Sequence, residues 1–473
     1  MALSLRPAWA VVVGVLFAVP MAAQRNVPAT YAITNARIVP VGAPTIASGT
    51  VVIRDGLIAA VGATVVVPAD ARIIDGNGLT VYPGFIDAYG SLGLPTATAG
   101  NAAGGGAAGR AAAATTAARP AGAPNSTNAV GLQPEVTVVE ALDPDESSFT
   151  AAHAAGITAA FTATATGVFR GTAAIINLDG TDVSAMILKP SVAQSIGFSR
   201  GGGGFGGGGG GGGFPGSLFA VFAALRQELL DAQRYHDLKA AYDRNPRGLQ
   251  RPAWDPSLEA LQPVLARQQQ VVMFANTERE IIRALDLAKE FNLRVLIAGG
   301  SEAYKVTDRL KAENVPVLLS VNFPRRTAAG GGAAGGGFGG GRGGAPADDE
   351  PELMRTLRER VEAPKSPGRL ATAGVRFAFQ SSANFTEYLA NVRRAVDAGL
   401  PADQALRAMT LGPAELFGVS DRIGTIEAGK IANLTITRGD LLDKSARVTQ
   451  LFVDGKQITI PAPTTGTPNS RTP

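Results

Sequence analysis

From Val271 to Ser320 short apolar runs alternate with amphipathic stretches, and this spacing constrains the fold more than any other feature. Val271–Ala275, Val295–Ala298 and Val315–Ser320 read as strands, with helices at Glu278–Phe291 and Glu302–Ala312 between them. Thr277 followed by Glu280 forms a capping box at the start of the first helix. Upstream, Ile157–Thr162 and Ala173–Ile176 read as strands, and Phe219–Tyr242 has helical spacing through Phe219, Phe222, Leu225, Leu229 and Leu230. Downstream, a strand at Val375–Phe379 precedes helices near Glu387–Ala398 and Ala402–Met409. Repeated βα units of this length argue for a parallel sheet, closed or open.

The two ends read differently. Tyr31–Asp75 alternates apolar and β-branched residues with turn signals, and Asp55-Gly56 between two apolar runs predicts a tight hairpin. Val81–Ile86 reads as a further strand ending in Asp87, and strands return at Leu434–Thr437, Val448–Val453 and Ile458–Ile460. The chain is therefore expected to be an α/β protein. Its centre, residues 81–419, forms a (β/α)8 TIM-like barrel, and residues 28–80 and 420–462 join as one composite β-sandwich subdomain. A chain of 473 residues, 45 % hydrophobic, can bury such a core. Thr96–Pro124, Ser199–Gly216 and the tract at 328–349 are dominated by Ala and Gly without apolar periodicity, and are expected to be disordered insertions.

At the N-terminus Arg6 precedes the apolar run Ala8–Val19, then Pro20 and the small pair Ala22–Ala23. That order matches a secretory signal peptide over residues 1–23, so a bacterial periplasmic or secreted protein is expected. An uncleaved N-terminal anchor is the alternative. No later segment is an apolar run of about 18 residues, so no transmembrane helix is expected after cleavage. The absence of cysteine suits an oxidising compartment.

Composition removes several chemistries. Without cysteine there is no disulfide framework, thiolate metal site or cysteine nucleophile. Two histidines, His153 and His236, cannot build a multi-histidine zinc or iron centre. His153 in "TAAHAAGIT" reads as a surface or helix-packing residue, and His236 as a solvated one on a long helix. No serine has the Gly-x-Ser-x-Gly setting of a nucleophile elbow. The polyglycine tracts lack the Lys-Ser/Thr of a phosphate loop, and Arg342 in "GGGRGG" is a single Arg in a loop. A net charge of +4 spread over the chain gives no reason to expect nucleic acid as a partner.

Several segments resemble the amidohydrolase superfamily, in its imidazolonepropionase-like branch of exported proteins. They are "NARIVPVG", "VVIRDGLIAAVG", "GLTVYPGFIDAYGSLGLP" and the closing "AMTLGPAELFGVSDRIGTIEAGKIANLTITRGD" with "LFVDGK". The resemblance implies a metal-dependent hydrolase of non-peptide carbon–nitrogen bonds, using Zn or Fe. It also implies a His-x-His after the strand-one motif Pro83-Gly84-Phe85-Ile86-Asp87-Ala88, where this chain has Tyr89-Gly90-Ser91. Phe274 stands where a later histidine would, Gly299-Gly300 end the next strand, and Ser382 replaces the aspartate of a Ser/Thr-Asp pair with Ser381. Lys189 is the nearest counterpart of the family's bridging lysine, without a role carried over.

Zn²⁺ or Fe²⁺ needs several N or O donors at about 2.0–2.2 Å, and neutral Ser and Tyr hydroxyls are poor ligands. No metal cofactor is therefore expected. A barrel would gather Asp87, Tyr89, Ser91, Asn276, Glu278, Asn322, Ser381 and Ser382 at its mouth, where a small polar ligand or short peptide could bind. Asp87 is expected to bond to nearby backbone. Two readings follow. One is a degenerate, metal-free homologue acting as a binding or partner module. The other is an active hydrolase with atypical metal ligation or with a catalytically intact homologous subunit as partner.

Overall fold

Two eight-stranded sheets divide the chain, and Gly84 marks the crossing between them. The computed structural model describes residues 30–95, 131–165, 167–180, 182–198, 217–324 and 352–460. The expected signal segment and all three Ala/Gly-rich insertions lie outside the described residues.

The strands are β1 (Tyr31–Ile38), β2 (Ile46–Arg54), β3 (Leu57–Gly62), β4 (Arg72–Asp75), β5 (Leu79–Pro83), β6 (Phe85–Gly90), β7 (Ile157–Thr162), β8 (Phe169–Asn177), β9 (Ile187–Gly197), β10 (Gln270–Ala275), β11 (Val295–Gly299), β12 (Val317–Ser320), β13 (Phe377–Gln380), β14 (Leu434–Arg438), β15 (Arg447–Val453) and β16 (Lys456–Thr459). The helices are α1 (Glu146–Ala154), α2 (Val183–Met186), α3 (Leu218–Arg244), α4 (Pro256–Leu265), α5 (Glu278–Glu290), α6 (Thr307–Ala312), α7 (Glu352–Glu362), α8 (Ser366–Ala373), α9 (Phe385–Asp397), α10 (Ala402–Met409) and α11 (Leu411–Phe417).

β1–β5 and β14–β16 form the composite sheet, in the order β16-β15-β14-β5-β1-β2-β3 with β4 beside β1. The two chain ends meet where β5 pairs antiparallel with β14. The β2–β3 hairpin turns on Asp55 and Gly56, both at positive φ (52° and 78°), as a two-residue hairpin with right-handed strand twist requires. The expected strand Val81–Ile86 is in fact two strands in different sheets. They part at Gly84, where a Cβ would lie 2.1 Å from Thr158 Oγ1. Gly84 N–H donates to Asn433 O, tying the crossing to the returning chain.

β6–β13 form the barrel sheet in sequence order reversed, from β13 to β6. Seven strands run parallel. β8 is antiparallel to both neighbours, so β7–β8–β9 is a meander within the barrel rather than two βα units. Helix α5 carries the expected capping box, Thr277 with Glu280. The predicted helix over Glu302–Ala312 is a short 3-10 turn, Ala303–Lys305, followed by α6.

Side-chain alternation sorts the core. Ile86, Phe161, Ala173, Val272, Ala298, Leu318 and Ala378 fill the barrel interior, and Phe417, Val419, Ile423 and Ile431 join them. The strands' other faces pack under the helices in a larger cluster that includes Leu225, Leu285, Leu310 and Val392.

Candidate functional site at the barrel mouth

The carboxyl ends of the parallel barrel strands define the mouth. Because β8 runs backwards, its first residues reach that same end. This places Arg170 at the mouth although it begins its strand.

Arg170 is 8 % exposed. Its NH1 donates to Tyr89 Oη at 2.8 Å, and its Nε donates to Gly167 O at 3.4 Å. One side of the guanidinium meets Gly197, where a Cβ would fall 2.3 Å from NH2, so only glycine fits there. The Phe274 ring lies beneath the charge, its centroid 5.4 Å from Cζ. Tyr89 stacks near Phe161 and Phe274, each with centroids 5.7 Å away. Tyr89 Oη also lies 3.2 Å from Ser195 Oγ, and since it accepts from Arg170, its own proton is available to Ser195.

Asp87 points the other way. Ile86 and Ala88 face the interior, whereas the Asp87 carboxylate sits at the seam between β6 and β13. There Oδ1 accepts from Ser381 N–H at 2.8 Å, and Oδ2 accepts from Ser381 Oγ at 2.5 Å. Complete burial pushes its pKa up to about 6, while hydrogen bonds from Ser381 and from the Tyr89 backbone hold it down. The phenol of Tyr388, on α9, is fully buried and is pushed well above its ordinary value by burial and by the Asp87 charge.

The other candidate residues form separate pairs rather than one constellation. Ser382 Oγ lies 2.8 Å from Ser320 Oγ. Asn322 Oδ1 accepts from Asn384 Nδ2 at 2.9 Å, and Asn276 Oδ1 accepts from Ser301 Oγ at 3.2 Å. Glu278 contributes its backbone N–H to Glu302 Oε2 as helix α5 begins. Ser91 is exposed. Lys189 lies near the amino end of β9, where Nζ donates to Phe417 O at 3.0 Å, at the carboxyl end of helix α11. His153 is buried, with Nε2 2.8 Å from Leu178 O, and His236 is exposed beside Gln262.

The sequence reading missed Arg170, Ser195, Ser320 and Gln380. A lone Arg inside the apolar run Val168–Ile176 was the available signal.

A model of the amidohydrolase family matches residues 356–458. The structure is similar to that of an amidohydrolase from Thermotoga maritima, with a TM-score of 0.67 and 20 % identity over 90 % of this chain and 99 % of that one. The chain has the amidohydrolase fold, and its carboxyl-terminal part matches the amidohydrolase family. A prolidase complexed with N-methylphosphonate-L-proline is also similar, with a TM-score of 0.51 and 16 % identity over 91 % of this chain and 99 % of that one.

Measured against the metal that this superfamily uses, the residues present do not fit. Tyr89 oxygen is engaged by Arg170 and Ser195, Phe274 has no donor, Ser382 is neutral and paired with Ser320, and Asp87 is held in the seam. Among the described residues no three His, Asp or Glu side chains are grouped to hold an ion.

Proposed function

We propose that this amidohydrolase-superfamily barrel is a metal-free homologue that binds a small polar ligand at its mouth instead of hydrolysing a carbon–nitrogen bond. The observation that carries this reading is the Arg170–Tyr89–Phe274 cluster, in which a guanidinium is packed among the side chains that replace metal ligands. Without a metal, nothing at the mouth lowers the pKa of a water toward neutrality. Asp87, the one acidic residue buried as a whole among the described residues, is spent on the barrel seam. Export belongs to the same reading, supported by the Met1–Ala23 pattern. Among the described residues no helix is long and apolar enough to cross a membrane.

Elemental analysis of the protein purified without chelator tests the reading. Far less than one equivalent of Zn, Fe, Mn or Ni is expected, and added metal should leave the melting temperature unchanged, since a ligand stabilises the state that binds it. About one or two tightly held ions per chain would restore the hydrolase reading.

A further inference from the structure

We infer that the carboxyl ends of β12 and β13 form a subsite for an uncharged polyhydroxyl ligand, of the size and chemistry of a monosaccharide. This inference rests on the ligand-binding reading above and names the ligand class.

The first observation is a continuous group of five neutral side chains. Ser320 Oγ lies 2.8 Å from Ser382 Oγ, and Gln380 Nε2 donates to Ser382 Oγ at 3.5 Å. Asn322 N–H donates to Ser320 Oγ at 3.3 Å, and Asn384 Nδ2 donates to Asn322 Oδ1 at 2.9 Å. Ser320 and Gln380 are register partners in the parallel pairing of β12 and β13, at the strand ends where barrels of this kind hold ligands. Ser382 and Asn322 are exposed, so the group opens to solvent. The Arg170 cluster draws on β6, β8, β9 and β10 and shares no residue with it.

The second observation is independent. Gln380 is 1 % exposed and shares the inward face of β13 with Ala378. Its Oε1 is buried with no hydrogen-bond donor. Buried polar atoms are nearly always paired, so this acceptor points to a donor that a ligand brings. The contact from Nε2 to Ser382 is the longest of the group. A ligand hydroxyl that meets the exposed Ser382 can displace it and reach the Gln380 amide.

The unused bonding capacity selects the ligand. Ser320 and Ser382 satisfy each other with only one of their two hydroxyl protons, which leaves one donor open. Asn322 Nδ2 is a second open donor, and Asn384 Oδ1 joins Gln380 Oε1 as an open acceptor, with no other protein group bonded to them among the described residues. A carboxylate matches the donors but faces the two acceptors, and an ammonium has the reverse mismatch. Neither finds an opposite charge among these five side chains, so each loses hydration without compensation. A peptide amide places its donor and acceptor on opposite edges, whereas here two donors lie between two acceptors along the line of contacts. Each hydroxyl of a polyol both donates and accepts, without charge.

Saturation-transfer NMR and calorimetry of the full chain test this with D-glucose, D-galactose, D-mannose and myo-inositol. D-glucuronate, protonated D-glucosamine and N-acetylglycinamide are the contrasting probes. At least one of the four uncharged polyols should bind with a millimolar or tighter Kd, and roughly ten-fold or more tightly than any contrasting probe. Asn322→Ala, at an exposed position, should weaken that binding roughly five- to ten-fold, as expected for one lost hydrogen bond. Gln380→Leu should weaken it at least as much while leaving the melting temperature of the unliganded protein unchanged or higher, because it removes an unpaired buried acceptor. A purely structural glutamine would instead lower the melting temperature and leave binding alone. Gln380→Met, of similar length, replaces Gln380→Leu if the latter does not fold. No binding of any of the four polyols, tighter binding of a contrasting probe, or polyol binding untouched by Asn322→Ala and Gln380→Leu overturns the inference. A metal-free protein that ignores the polyols sinks this inference alone, whereas bound metal sinks the reading beneath it.

Discussion

The carboxylate of Asp87 on the first barrel strand accepts both the backbone N–H and the hydroxyl of Ser381, just beyond the last barrel strand, at 2.8 and 2.5 Å. β6 and β13 end the ladder order, so these two bonds stand where the barrel closes. The side chain thus joins two segments 294 residues apart in sequence.

Acidity should act on this seam in a definite direction. The folded-state pKa of Asp87 is raised from 3.8 to about 6 by burial, so the native state holds the proton more tightly than the unfolded chain. The Asp87 contribution therefore favours folding below about pH 4 and is lost as pH rises through 6. The full difference is at most about 3 kcal/mol. Asp87→Asn keeps an acceptor for Ser381 N–H and offers a donor to Ser381 Oγ, but cannot titrate. Urea unfolding between about pH 4.5 and 7.5 should show the unaltered protein losing stability relative to Asp87→Asn across that window. Parallel curves would show that Asp87 does not titrate there.

Ser381→Ala should be pH-dependent too. It removes the hydroxyl donor from a buried carboxylate, a loss of about 1–3 kcal/mol when that carboxylate is ionised. Because this hydrogen bond holds the Asp87 pKa down, its removal should raise that pKa further. Denaturant midpoints should drop more at about pH 7.5 than at about pH 5. An equal drop at both would mean the hydroxyl does not serve the ionised form.

Gly197→Ala tests the packing of Arg170. The new Cβ would lie 2.3 Å from NH2 and 2.5 Å from Cζ, so the guanidinium must leave its place over Phe274. A destabilisation of about 1–3 kcal/mol is expected from this overpacking. An unchanged urea midpoint would show that Arg170 moves freely.

Gly84→Ala should destabilise more strongly, because its Cβ meets Thr158 Oγ1 at 2.1 Å, Cγ2 at 2.7 Å and Cβ at 2.9 Å at the crossing between sheets. Thr158→Ala removes the two nearest of those atoms. The Gly84→Ala/Thr158→Ala pair should therefore be more stable than the sum of the single losses, by roughly 0.5–3 kcal/mol. Simple additivity in equilibrium unfolding would place the clash elsewhere.

What the sequence by itself determined is whatever repeats locally or can be counted. The period of strand and helix between Val271 and Ser320, the Thr277–Glu280 capping box and the Asp55-Gly56 turn are short-range patterns, and each formed except that the helix expected over Glu302–Ala312 is a 3-10 turn followed by α6. The scarcity of histidine and cysteine ligands was equally legible, since two histidines and no cysteine can be counted without a fold. Tertiary structure decided direction and partnership. Apolar periodicity carries no arrow, so nothing local announced that β8 runs backwards and delivers Arg170 to the mouth. Alternation also could not show that Val81–Ile86 breaks at Gly84, because the break comes from the distant Thr158 and Asn433. The bond from Ser381 to Asp87 arises the same way: a buried carboxylate must find its donors, and here they lie 294 residues further along the chain.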